Sequence, residues 1–240
     1  MLALVLNPFV DPFPAPENIA NLLWAIIALP LAGAFLCGVL GRFMGRANTN
    51  FIACATVAGS FLLSCCAVWA VGAQSTQYIS PASGAPVRWA LWLDLGRWFA
   101  AGDFSAHYGL TVDRLTAALL LVITGIGFLI HVYSTEYMEH DEGYWRFFAY
   151  LNLFVAMMLT LVMADNLILL FVGWEGVGLC SYLLIGFWFT DEEKASAGRK
   201  AFVVNRIGDF GFLIGIFLIF NQLGSVGFDA INRSVLPLGV

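Results

Sequence analysis

LILLFVGWEGVGLCSYLLIGFWF, residues 167–189, carries one charged side chain, Glu175, in an otherwise apolar run long enough to cross a bilayer. The hydrocarbon layer is ~30 Å thick and a helix rises ~1.5 Å per residue, so a spanning helix needs ~20 mostly apolar residues. Inside that layer each backbone N–H and C=O has to be satisfied within the segment, which a helix does alone. The same test, applied outward from residues 167–189, finds five more stretches: 22–41, 51–71, 112–133, 147–164 and 199–220. The sequence therefore predicts an all-α integral membrane protein of about six transmembrane helices.

Composition agrees. Sixty per cent of the 240 residues are hydrophobic, 11% are charged, and the mean hydropathy is +0.84. A soluble domain has no interior large enough for that much apolar surface. The net charge of -5 arises from acids lying between the apolar runs, which leaves no basic patch for nucleic acid. Cys37, Cys54, Cys65, Cys66 and Cys180 all fall inside apolar runs without CxxC spacing, as helix-packing residues rather than ligands of zinc or an iron–sulfur cluster. Gly176, Gly178 and Ser181 echo a dinucleotide-binding pattern, but no strand-to-helix turn holds them, so no bound nucleotide is expected.

The apolar runs divide the chain into an external segment 1–21, helices one and two over 22–71, an external loop 72–111, helices three to six over 112–220, and an external tail 221–240. Residues 1–21 lack Lys and Arg and contain Pro8, Pro12, Pro14 and Pro16, unlike the basic start of a signal peptide. Arg42, Arg46, Arg146, Lys194, Arg199 and Lys200 share one side, which the positive-inside rule makes cytoplasmic; the N-terminus is then outside. Arg88, Arg97 and Arg233 lie opposite. Within the long loop, VRWALWLDLGRWF (87–99) is rich in Trp and strand formers, which fits a short hairpin at the outer interface with Trp89, Trp92 and Trp98 as an aromatic belt. Thr190, followed by Asp191, Glu192 and Glu193, resembles a capping box opening the sixth helix.

Charge at bilayer depth costs a few kcal/mol, so an ionisable residue there is a functional candidate. Glu175 sits mid-helix, and a desolvated carboxyl whose cation departs takes up a proton. Arg206 and Asp209 lie three apart on the sixth helix, hence on one face; a fixed ion pair and a proton relay starting at Glu175 are both open. Counting ~1.5 Å per residue from the cytoplasmic ends puts Glu175 about 21 Å deep, Asp209 about 15 Å and Arg206 about 10 Å, a descending series. Gly173, Gly176 and Gly178 flank Glu175, leaving either room for water or a surface for close helix packing. His131, near the cytoplasmic end of the third helix, and Asp113 and Arg114, at its outer start, are explained by interfacial solvation. His131 and Lys200 are retained as possible members of a proton path.

FVGWEGVGLCSYLLIGFWF (171–189) and KAFVVNRIGDFGF (200–212), with WALWLDLG (89–96), YGLTVDRLTA (108–117) and VYSTEYM (132–138), resemble the L subunit, or chain 5, family of NADH-quinone oxidoreductase. That resemblance implies the N-terminal portion of an antiporter-like fold with two inverted five-helix repeats. It implies that Glu175 is the proton-carrying glutamate of the fifth helix, with Asp209 and Arg206 as a polar pair on the sixth. It implies a proton-translocating subunit of respiratory complex I in a membrane, the bacterial inner membrane, beside another antiporter-like subunit. NAD, FMN, iron–sulfur clusters and quinone are then expected in partner subunits, with no redox centre here. Related antiporter-like chains make a subunit of a multisubunit sodium/proton antiporter the alternative. Family members run to more than twice this length, so the chain is expected to be a fragment, a truncation, or one part of a split subunit. The lysine of a seventh helix and the histidines and lysine of the second repeat are missing from it.

Overall fold

The computed structural model describes residues 19–73, 78–79, 86–87, 90–102 and 104–235. Most of the segment 1–21, together with Arg88, Trp89 and the side chain of Arg233, lies outside them.

The first helix, α1 (Leu23–Ala73), is broken at Gly45, whose φ of 76° and ψ of 168° suit only a residue without Cβ. The two arms, 23–44 and 46–73, fold back antiparallel. Leu29 lies against Gly59, and Gly33 meets Thr56. Pro30 cannot donate to the carbonyl four residues before it, and Ser60 Oγ on the opposite arm supplies the missing donor to Ile26 O at 2.7 Å. One broken helix thus accounts for the first two expected spans. Four more follow: α2 (Arg114–Tyr137), α3 (Tyr144–Met163), α4 (Leu167–Ile185) and α5 (Glu192–Leu223). α1 to α5 are all long and apolar enough to cross a membrane.

Helix ends differ from the hydropathy limits where caps rather than apolarity decide. Asp113 caps α2 by accepting from Thr116 N at 2.7 Å. Asp191, not Thr190, caps α5, accepting from Glu193 N and pairing with Lys194 Nζ at 2.9 Å. α5 therefore begins at Glu192, two turns before residue 199. A short helix α6 (Phe228–Val235) follows Gly224, which closes α5 at φ 67°.

Two short strands, β1 (Tyr78–Ile79) and β2 (Pro86–Val87), pair antiparallel. The larger hairpin, β3 (Leu91–Ala101) with β4 (Phe104–Val112), extends past residue 99 and takes in Tyr108–Val112, so the third helix starts after it. Its buried residues Leu91, Leu110 and Val112 join Leu23, Ile26, Leu120, Leu159, Met163 and Leu169 in one core at that end of the bundle. Trp92 spends its indole N–H on Asp165, whereas Trp98 is exposed and packs edge-on against Phe99 and Tyr108.

A second core at the other end gathers Cys37, Ala53, Met138, Tyr144, Phe148 and Phe187. Arg46 donates to Asp141 O there, Arg146 lies 4.9 Å from the Phe187 ring, and Lys194 lies 4.9 Å from the Trp188 ring. Those three cations share one end of the bundle, as their loops require. α3 occupies the middle and touches α1, α2 and α4, while α5 packs on α4 and α6. Asn152 on α3 accepts from Thr56 at 3.0 Å, and a Cβ at Gly33 would strike both side chains.

Asp165, between α3 and α4, ties the hairpin end together. Its side chain accepts from Trp92 and Asn166, its N–H donates to Gly109 O at 3.2 Å, and its carbonyl accepts from Phe228 N at 3.1 Å. Burial pushes its carboxyl above the ordinary carboxylate range, against the hydrogen bonds from Asn166 and Trp92. A folded-state value above the unfolded one means that its stabilising contribution is complete below the ordinary range and is lost as pH rises through the raised value. Amide hydrogen exchange across 104–112 should therefore slow as pH falls from 7 toward 4, after correction for intrinsic rates. Asp165→Asn should flatten that dependence.

Candidate functional site

α4 carries a single charged side chain, Glu175. Its start is fixed by Asn166, whose Oδ1 accepts from Ile168 N and Leu169 N. One face sits tightly on α3: a Cβ at Gly173 would meet the Leu161 backbone at 2.5–2.6 Å, and one at Gly176 would meet the Met157 side chain. Gly173 and Gly176 therefore serve helix packing, whereas a Cβ at Gly178 would meet nothing within 4 Å. Backbone cannot step aside as a side chain can. Gly173→Ala should destabilise the α3–α4 contact by ~1–3 kcal/mol through overpacking and lower the thermal midpoint of the detergent-solubilised protein, with Gly178→Ala close to neutral.

The opposite face of α4 meets α5. Phe171 and Trp174 stand against Phe212 with ring centroids 5.7 and 5.9 Å apart, and Tyr182 stands 5.3 Å from Phe202. Between these aromatic pairs lie the charges. Arg206 Nη1 contacts Glu175 Oε2 and lies 3.7 Å from Asp209 Oδ2, while its Cζ is 4.7 Å from the Phe202 ring centroid. Trp174 Nε1 donates to Asp209 Oδ1 at 2.7 Å. Side-chain exposure is 8% for Asp209, 22% for Glu175 and 45% for Arg206. One guanidinium thus stands between two carboxylates from two helices.

This arrangement revises the expected descending series. Glu175, Arg206 and Asp209 meet in one cluster, with Arg206 reaching from α5 to Glu175 on α4. Glu175 is not an unpartnered acid, and Arg206 and Asp209 are not a pair closed to it. His131 stands apart from the cluster. It is fully buried rather than interfacially solvated, with Nδ1 donating to Gly127 O at 2.8 Å and its ring 6.2 Å from Phe148. Lys200 is exposed on α5 and joins no ion pair among the described residues. The sequence alone assigns Trp174 no role, because it stands next to Glu175 in the chain but donates to Asp209 on another helix.

Two family models match: NADH-ubiquinone oxidoreductase (complex I), chain 5 N-terminus, over residues 98–148, and NADH:quinone oxidoreductase/Mrp antiporter, TM, over 164–238. NADH-quinone oxidoreductase subunit L of Pseudomonas aeruginosa is 44% identical over 206 residues, covering 86% of this chain and 32% of that one. The subunit L of Escherichia coli is 53% identical over 134 residues, 56% of this chain and 22% of its own. NADH-ubiquinone oxidoreductase chain 5 of Chondrus crispus is 42% identical, covering 89% and 30%. This chain thus spans about a third or less of the length of these relatives.

Among solved structures, the Mrp complex from Dietzia sp. aligns with a TM-score of 0.67 at 23% identity, over 85% of this chain and 20% of that one. An archaeal membrane-bound sulfane sulfur reductase aligns with a TM-score of 0.69 at 22% identity, over 88% and 38%. These two likenesses concern the fold. The family models, not the structural likeness, place the chain among the antiporter-like membrane subunits. Within that class the chain belongs to the subunit L/chain 5 family of NADH-quinone oxidoreductase and corresponds to the N-terminal part of its members.

Proposed function

We propose that this chain contributes a proton half-channel to a redox-driven, proton-translocating NADH-quinone oxidoreductase, with Glu175 as the carrier. The observation behind this is the cluster in which Arg206 stands between Glu175 and Asp209. With the guanidinium against it, Glu175 holds a negative charge; with the guanidinium drawn to Asp209, the isolated carboxyl binds a proton instead. A small displacement of one side chain then loads or unloads the carrier, and neither acid needs to leave its helix. Lys200 and His131 are candidate further members of the path. NADH oxidation and quinone reduction, with the FMN and iron–sulfur clusters they require, belong to other subunits. An adjacent antiporter-like subunit is the proposed neighbour, in a bacterial inner membrane with the N-terminus outside and the Arg46, Arg146 and Lys194 end in the cytoplasm. The family names of subunit L and chain 5 relatives support this assignment over a sodium/proton antiporter.

The test is NADH-driven proton translocation in membrane vesicles containing the assembled complex, with and without sodium. Translocation that ignores sodium and depends on Glu175 supports the proposal. An absolute sodium requirement would transfer the chain to the antiporter class.

A further inference from the structure

Trp174 carries no charge, yet it donates to the most buried acid of the cluster. Its ring is fixed edge-on against Phe212, which Phe171 braces in turn. The position of Arg206 is uneven: it contacts Glu175, whereas its 3.7 Å separation from Asp209 is too long for a hydrogen bond. Helix spacing alone favours the opposite choice. Asp209 lies three residues from Arg206 on the same face of α5, whereas Glu175 is on another helix. The indole N–H offsets that preference by giving Asp209 a neutral donor on its other oxygen. Building on the reading of Glu175 as carrier, we infer that Trp174 is a positioning residue whose N–H occupies Asp209 and so assigns Arg206 to Glu175.

Trp174→Phe, made in the complete assembled complex, keeps a ring against Phe212 and removes the donor. Labelling of Glu175 by a hydrophobic carbodiimide, which attacks the protonated acid, is measured by mass spectrometry. A hydrogen bond to a charged group shifts an equilibrium by about tenfold or more, so labelling should accelerate by about tenfold in Trp174→Phe. Asp209→Asn alone should keep labelling as slow as in the unaltered chain, since the competing anion is gone; rapid labelling there overturns the inference. Proton translocation supplies a second readout. Trp174→Phe should lower it in the unaltered chain and have no further effect beside Asp209→Asn. A residue that only fills space would lower both backgrounds by one factor and leave labelling unchanged, which overturns the inference. Glu175→Gln separates the two ideas: normal translocation there removes the carrier role, while the labelling comparison still judges Trp174.

Discussion

Glu175→Gln is expected to cut proton translocation through the proposed half-channel by at least ~100-fold, the scale on which removing a positioned acid–base group acts. Gln keeps the shape and much of the hydrogen bonding of Glu but cannot carry the proton. Assembly should be unaffected, because with one acid neutralised Arg206 can settle on Asp209 and the cluster has no surplus negative charge. The amount of assembled complex and its NADH-driven proton translocation are measured on the same membranes. Glu175→Asp should retain part of the activity: it keeps the titrating group but withdraws it by one methylene from Arg206. Normal translocation in correctly assembled Glu175→Gln membranes would remove the carrier role altogether.

Arg206→Leu should have the largest effect on stability. It leaves two membrane carboxylates, Glu175 and Asp209, without their cation. Deleting one partner of a buried ion pair costs ~3–5 kcal/mol, and the 45% exposure of Arg206 places the loss at the lower end of that range. Asp209→Leu should cost less, since the Glu175–Arg206 pair survives it in balance. In a closed two-member pair, Arg206→Leu with Asp209→Leu would restore assembly. In the observed cluster that double variant still strands Glu175, so recovery is partial and becomes complete only when Glu175→Gln is added. The yield of assembled complex across these variants distinguishes the two cases. Simple addition of the single effects would show that the three residues are not coupled.

Much of the fold could be read from hydropathy. Six spans and an extramembrane hairpin follow from run length and from a Trp-rich stretch of strand formers, since a bilayer leaves the backbone few alternatives. Element ends were less legible. α5 starts where Asp191 can accept two backbone N–H groups, not where the chain turns apolar, and the third helix waits for β4 to finish at Val112. Gly45 looks like any loop glycine in sequence, and only its φ of 76° shows one helix folding back on itself without a loop.

The three charged residues of the site were visible individually, because charge in an apolar run is conspicuous wherever it occurs. Their partnership was not. Spacing on one helix links Arg206 with Asp209, but the contact between Arg206 and Glu175 depends on how α4 rotates against α5. Gly173 and Gly176 help set that rotation by admitting α3 on the opposite side. His131 shows the same limit: a position near a helix end suggests solvation, whereas packing against Phe148 buries it. The sequence by itself determined that this chain lies in a membrane and which side chains carry charge there, because transfer free energy is a property of each residue and its neighbours along the chain. Only the tertiary structure decided which acid holds the guanidinium and which holds the indole, because those choices rest on distances of a few ångströms between separate helices.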